Sequence, residues 1–141
     1  MGKFDTQWGR LVESLVSGSI VRLFKEKGIE VHDTAERLRG VHGGKQFEFD
    51  IIAKNGNEIV IISVKSTLTV KYVNEHLDDL KHASVWLKEY ANHKIFGAVA
   101  FLRAHEKSDL YAEVMGLFVI KATGDSASII NQESFIPKDW N

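Results

Sequence analysis

Glu48, Asp50, Ser63 and Lys65 lie on two β-rich runs, 46–53 and 58–65, separated by Lys54-Asn55-Gly56-Asn57. Asn-Gly between such runs is the strongest short hairpin signal. Taken as a two-residue loop, Asn55-Gly56 sets Lys54 opposite Asn57, Asp50 opposite Ile61 and Glu48 opposite Ser63. Side chains alternate sides along a strand, so all four groups project from one face. Direct partners then stand about 4.5–5.5 Å apart at Cβ and diagonal ones about 7–8 Å. Such a patch suits a hard cation, because Mg²⁺ takes oxygen ligands and commonly uses one or two protein carboxylates, completing its shell with water and phosphate oxygens. A lysine beside it can position or deprotonate a water, or neutralise charge developing on a phosphate. Phosphodiester hydrolysis is the reaction this set fits best.

Each residue also has a plainer reading. Glu13 sits beside the apolar stripe of a helix, where an acid is usually solvated, and Lys65 closes an apolar strand, where an edge lysine is ordinary. Glu48 fits a solvated strand position as well as a site. Asp50, flanked by Phe49 and Ile51, is costly to bury without a partner, which points to a metal or a lysine nearby. The six histidines form no metal-binding spacing, so surface or turn roles are expected for them. His42-Gly43-Gly44-Lys45 lacks the Gly-Lys-Ser/Thr ending of a phosphate loop and reads as a flexible connection. Arg37, Arg39, Lys45 and Lys71 could line one sheet edge and meet phosphates, but scattered surface charge is the simpler account.

The elements that must hold these residues follow from periodicity. Apolar residues at Trp8, Leu11, Val12, Leu15, Val16, Ile20, Leu23 and Phe24 predict an amphipathic helix over 6–27, ended by Gly28. A short strand is expected over 29–31, then a polar connection over 33–45. Ile59-Val60-Ile61-Ile62 has no polar alternation, as in a central strand covered on both faces. Val73, Leu77, Leu80, Ser84, Leu87 and Ala91 give a second helix ending near Asn92, with Trp86, like Trp8, assigned to packing. A buried strand over 95–102, a short helix over 108–115 and a hairpin of 117–120 with 126–130 complete the order. Strands adjacent in sequence before a helical crossover imply a mixed sheet with helices packed on it, an α/β fold.

Composition bounds the rest. The 141 residues, 44% hydrophobic and 26% charged with one proline, are expected to form a single domain over 1–141. No apolar run is long enough to span a bilayer, and Met1-Gly2-Lys3-Phe4-Asp5 lacks the apolar core of a signal peptide, so a cytoplasmic protein is expected. Without cysteine, any metal must be held by oxygen or imidazole. A net charge of −1 gives no bulk attraction to nucleic acid, so such binding needs a local basic patch.

The order helical Glu13, hairpin Asp50, then Ser63-Val64-Lys65 resembles the catalytic core of the PD-(D/E)XK nuclease superfamily, in which an aspartate on one strand precedes (D/E)-x-K on the next. The stretch 47–53 followed by Ser63-Val64-Lys65-Ser66 is close to its restriction-endonuclease-like members. Tyr111-Ala112, the run 116–120 and Gly124-Asp125 resemble an uncharacterised family of small bacterial members of the same fold. The resemblance implies a restriction-endonuclease-like αβββαβ core with a C-terminal β-hairpin, acting as a Mg²⁺-dependent endonuclease, with Mn²⁺ as substitute, on DNA or structured nucleic acid. It implies Asp50 as metal ligand, Val64 as a carbonyl ligand, Lys65 serving the attacking water and Glu13 joining through water. Cutting both strands would call for two sites, which a homodimer supplies. Ser63 stands where the superfamily has its second acid, which leaves two expectations open. Glu48, opposite Ser63, takes the missing ligand position in a rearranged metal site, or the chain is a catalytically inactive nucleic-acid-binding or assembly module.

Overall fold

In the computed structural model, residues 7–141 are described. Met1 to Thr6, which carry the reading of the N-terminus and the first residue of the expected first helix, lie outside them. Helix α1 (Gln7–Lys25) is followed by strands β1 (Asp33–His42), β2 (Lys45–Lys54) and β3 (Glu58–Leu68). Then come helix α2 (Val70–Trp86), a 3-10 turn (Lys88–Tyr90), strand β4 (Lys94–Ala104), helix α3 (Ser108–Val114) and strands β5 (Phe118–Ala122) and β6 (Ala127–Ile129). This is the expected αβββαβ core with a C-terminal hairpin. The six strands form one mixed sheet in sequence order, with β3, β4 and β5 parallel and the other neighbours antiparallel. No helix among the described residues is long and apolar enough to cross a membrane.

Two cores follow from the alternation of side chains in the central strands. Val60, Ile62 and Val64 of β3 point to the face covered by α1, where they meet Val12, Val16, Ile20 and Phe24. Ile59 and Ile61 point to the opposite face and pack with Val73, Leu77 and Leu80 of α2. The unbroken apolar run therefore marks a strand buried on both sides. Gly97 of β4 lets α2 approach the sheet. A Cβ there would fall inside the contact distance of Leu80 Cδ1 and 2.7 Å from Leu117 Cδ2. Gly97→Ala is accordingly expected to cost about 1–3 kcal/mol through overpacking, read as a lower urea midpoint at unchanged m-value.

Several expectations are corrected. The connection expected over 33–45 is a strand hairpin: β1 pairs along β2 from Asp33↔Lys54 to His42↔Lys45. Its turn, Gly43-Gly44, has φ of +56° and +81°, the left-handed pair a tight hairpin requires. Because β1 is exposed or half-exposed along its length, it carries no apolar alternation to read. Residues 29–31 form no strand; Ile29 and Val31 are buried by packing alone. Trp8 and Leu11, assigned to the core face of α1, are 61% and 45% exposed.

The β2–β3 turn also differs. Lys54 pairs with Ile59 rather than Asn57, and Ile51 pairs with Ile62. The Asn55 side-chain oxygen accepts the backbone N–H groups of Asn57 and Glu58, both at 2.8 Å. This side-chain-capped loop replaces the two-residue turn and shifts the register by two positions. A shift of two alone leaves side chains on their original faces, but the alternation of β2 breaks at Asp50. Phe47 and Phe49 pack with Ile52 on the α2 side while Ile51 faces α1, so Glu48 does not share a face with Ser63 and Lys65 as expected.

Candidate active site

The β2–β3 ladder has four pairs and ends at Ile51↔Ile62. Beyond it, Asp50 supplies the next acceptor: its Oδ2 receives the backbone N–H of Val64 at 2.7 Å. A strand amide lies in the plane of its sheet, so this bond holds the Asp50 carboxylate in the gap between the two strands. The residue is 1% exposed. On the facing strand β1, Arg37 has φ of +53° and is skipped in the pairing, marking the same level of the sheet as irregular.

Glu48, Asp50, Ser63 and Lys65 line one small recess of about 60 Å³. The two-position shift removes Glu48 from its expected place opposite Ser63; continuing the observed register sets Ser63 level with Asp50. Glu48 Oε1 instead accepts from Arg39 Nε at 3.0 Å, a pair largely in solvent. The Lys65 ammonium lies 4.0 Å from the centroid of the Tyr72 ring, a cation–π contact that fixes the charge at the recess.

Helix α2 contributes the other wall through Tyr72, Glu75, His76 and Asp79. The spacing of 72, 75, 76 and 79 is one helical stripe, visible in the sequence only once this helix is known to cover the β2–β3 gap. His76 corrects the surface or turn assignment of the histidines: it is 5% exposed, with Nε2 3.1 Å from the Ile61 carbonyl.

Glu13 does not line the recess. It is 7% exposed on α1, and its Oε1 accepts from Arg37 Nη2 at 3.3 Å. Burial pushes its carboxyl above the ordinary 4.5; the charge and hydrogen bond of Arg37 oppose this, and the charges of Asp50 and Glu36 add to the rise. Just above pH 4.5 the folded chain thus keeps a proton that the unfolded chain has released, so this group's contribution to stability falls as pH rises through that window. Glu13→Gln is expected to flatten that slope and to leave the melting midpoint at pH 7 equal or higher in chelator. A midpoint several degrees lower would mean that the Arg37 pair outweighs burial.

Among the described residues, no three His, Asp or Glu side chains are gathered as a metal cage. The donor set instead suits a hard cation held by one buried carboxylate and completed by water and phosphate oxygens.

The fold is that of endonuclease structures: a six-stranded mixed sheet flanked by helices. A repair endonuclease from Pyrococcus abyssi matches 78% of this chain and 46% of its own at 17% identity, with a TM-score of 0.53. The structure of an EndoMS–dsDNA complex matches 85% of this chain and 46% of its own at 14% identity, with a TM-score of 0.50. The chain therefore spans about half the length of these solved structures. No family model matches the chain, and no curated protein does.

Proposed function

We propose that the chain is a PD-(D/E)XK-type domain that hydrolyses phosphodiester bonds of DNA with Mg²⁺, in a site altered by serine at position 63. The observation that carries this reading is the recess lined by both Asp50 and Lys65, beside a strand pair opened by the Asp50–Val64 bond. Asp50 and the Val64 carbonyl would hold the cation, with Glu13 behind Asp50 acting through water. A bound divalent cation would supply Lewis-acid polarisation of the phosphate and a more acidic water. Lys65 orients that water and offsets charge on the phosphoryl oxygens. Ser63 can donate or accept one hydrogen bond but adds no charge, so cation affinity is expected to be weaker than in a two-carboxylate site. Glu48, which borders the recess, is tied to Arg39 instead of facing Asp50.

A second reading, a non-catalytic nucleic-acid-binding or assembly module, is favoured by the neutral Ser63 at the position level with Asp50. Purified protein incubated with supercoiled plasmid and Mg²⁺ or Mn²⁺ separates the two. Nicking that chelator abolishes supports the enzyme. Ser63→Glu is expected to raise both Mn²⁺ affinity and nicking by about tenfold or more, since one added inner-sphere charge-assisted contact is worth about 1.5–3 kcal/mol. Wild type and Ser63→Glu that both leave plasmid intact would favour the module.

A further inference from the structure

From the recess, the α2 stripe continues past Asp79 to His82 and Trp86, the latter about 15 Å from His76 at 1.5 Å per helical residue. There the aromatic groups pass from the core edge, where Phe47 and Trp86 are half-buried, to the surface at His82. The Phe47 ring of β2 lies parallel to the Trp86 indole, with centroids 5.2 Å apart and planes within 6°. The exposed His82 ring stacks on the same indole at 5.1 Å and 13°. The exposed Lys45 carries its ammonium 5.1 Å from the centre of that ring. Beneath, Phe49 is 3% exposed and its ring centroid lies 6.2 Å from that of Trp86 at a tilt of 39°, so the indole already has a core partner. Phe47, itself packed on the core edge, and the exposed His82 lie parallel to the indole, so an incoming ring would meet the outer members of this stack.

Phe47 also borders an open groove of about 630 Å³ lined by Arg39, Gly40, Val41, Gln46, Phe47 and Glu48. That is within the size range of small-ligand sites. Gly40 makes room for the ring, since a Cβ there would stand 2.8 Å from Phe47 Cε2. Glu48 borders both groove and recess, so the two adjoin at that residue.

Flat, partly exposed rings in series with cationic side chains are what unpaired bases and their phosphates recognise. Stacking contributes about 1–3 kcal/mol per base and tolerates any sequence, and a lysine at the ring answers the backbone charge. A duplex keeps its bases stacked on each other and cannot use such a platform. We propose that Phe47, Trp86 and His82, with Lys45 and Arg39, form a docking platform for a single-stranded segment of nucleic acid that leads into the recess. This rests on the nuclease reading for the recess, while the platform itself needs neither metal nor chemistry.

The test is binding of a fluorescein-labelled single-stranded oligodeoxynucleotide, and of a duplex of equal length, in EDTA. The single strand is expected to bind more tightly and to quench tryptophan emission, with the quenching lost in Trp86→Phe although Trp8 and Trp140 remain. Phe47→Ala is expected to weaken single-strand binding by roughly tenfold or more while leaving duplex binding unchanged. Because Phe47 supports the β1–β2 hairpin, the exposed pair Lys45→Glu with His82→Ala provides a second route to the same loss. Equal affinity for single strand and duplex, quenching that survives in Trp86→Phe, or unchanged affinity in the Lys45/His82 double variant would each overturn the platform. Binding that behaves as expected while plasmid stays uncut would overturn only the nuclease reading.

Discussion

Lys65→Ala is expected to lower Mg²⁺-dependent plasmid nicking by about 10²–10⁴-fold, the range that a positioned acid–base or charge-neutralising group contributes. The side chain is half-buried at the recess and its charge rests on Tyr72, whereas the backbone at this point is held in the β3–β4 ladder, where Lys65 pairs with Phe101. Truncation therefore removes the ammonium without loosening the strand, and the melting midpoint is expected to move by no more than a few degrees. Lys65→Arg, with a charge too bulky and too firmly protonated to serve a water, is expected to recover binding but little turnover. Nicking that persists at the wild-type rate in Lys65→Ala would remove this lysine from the chemistry.

The largest stability effect is expected at the opposite face. Phe24 of α1 is fully buried and meets Phe118 of β5 edge to face, with ring centroids 5.2 Å apart. Phe118 in turn contacts Phe96 and Phe135, so the four rings join the helix to β4, β5 and the segment after β6. Phe24→Ala would remove the ring and leave a cavity that β-sheet neighbours cannot close, a loss of about 3–5 kcal/mol. Against a typical total of about 5–15 kcal/mol, that leaves the variant near half-unfolded under mild denaturant. Urea unfolding followed by circular dichroism reads it; a loss under about 1 kcal/mol would mean that the sheet relaxes into the space. Phe24→Leu is expected to recover most of the loss.

The legibility of this chain divides along burial. Val12, Val16 and Ile20, the run 59–62 and the run 95–101 announce their elements because both faces or one full stripe must leave water. Strand β1 was silent because nothing along it is buried, so its only signal was the glycine pair at 43–44, which is ambiguous without its partner strand. Ser63 and Lys65 were legible together because face membership on β3 survives a register error of two, whereas the position of Glu48 was not, since the alternation of β2 breaks at Asp50. Their pairing was not, since a side chain, Asn55, rather than the turn dipeptide, decides where the β2–β3 loop closes. Glu75, His76 and Asp79 were hidden for another reason: polar residues on a helix read as solvated until the helix is placed over a gap in the sheet.

The bond between Asp50 and the Val64 amide has a consequence beyond the chemistry of the site. Losing that carboxylate would strand a buried donor at a cost of about 1–3 kcal/mol. Asp50 is therefore a keystone of the β2–β3 seam in its own right, and its persistence in a sequence is no measure of whether the chain cuts anything.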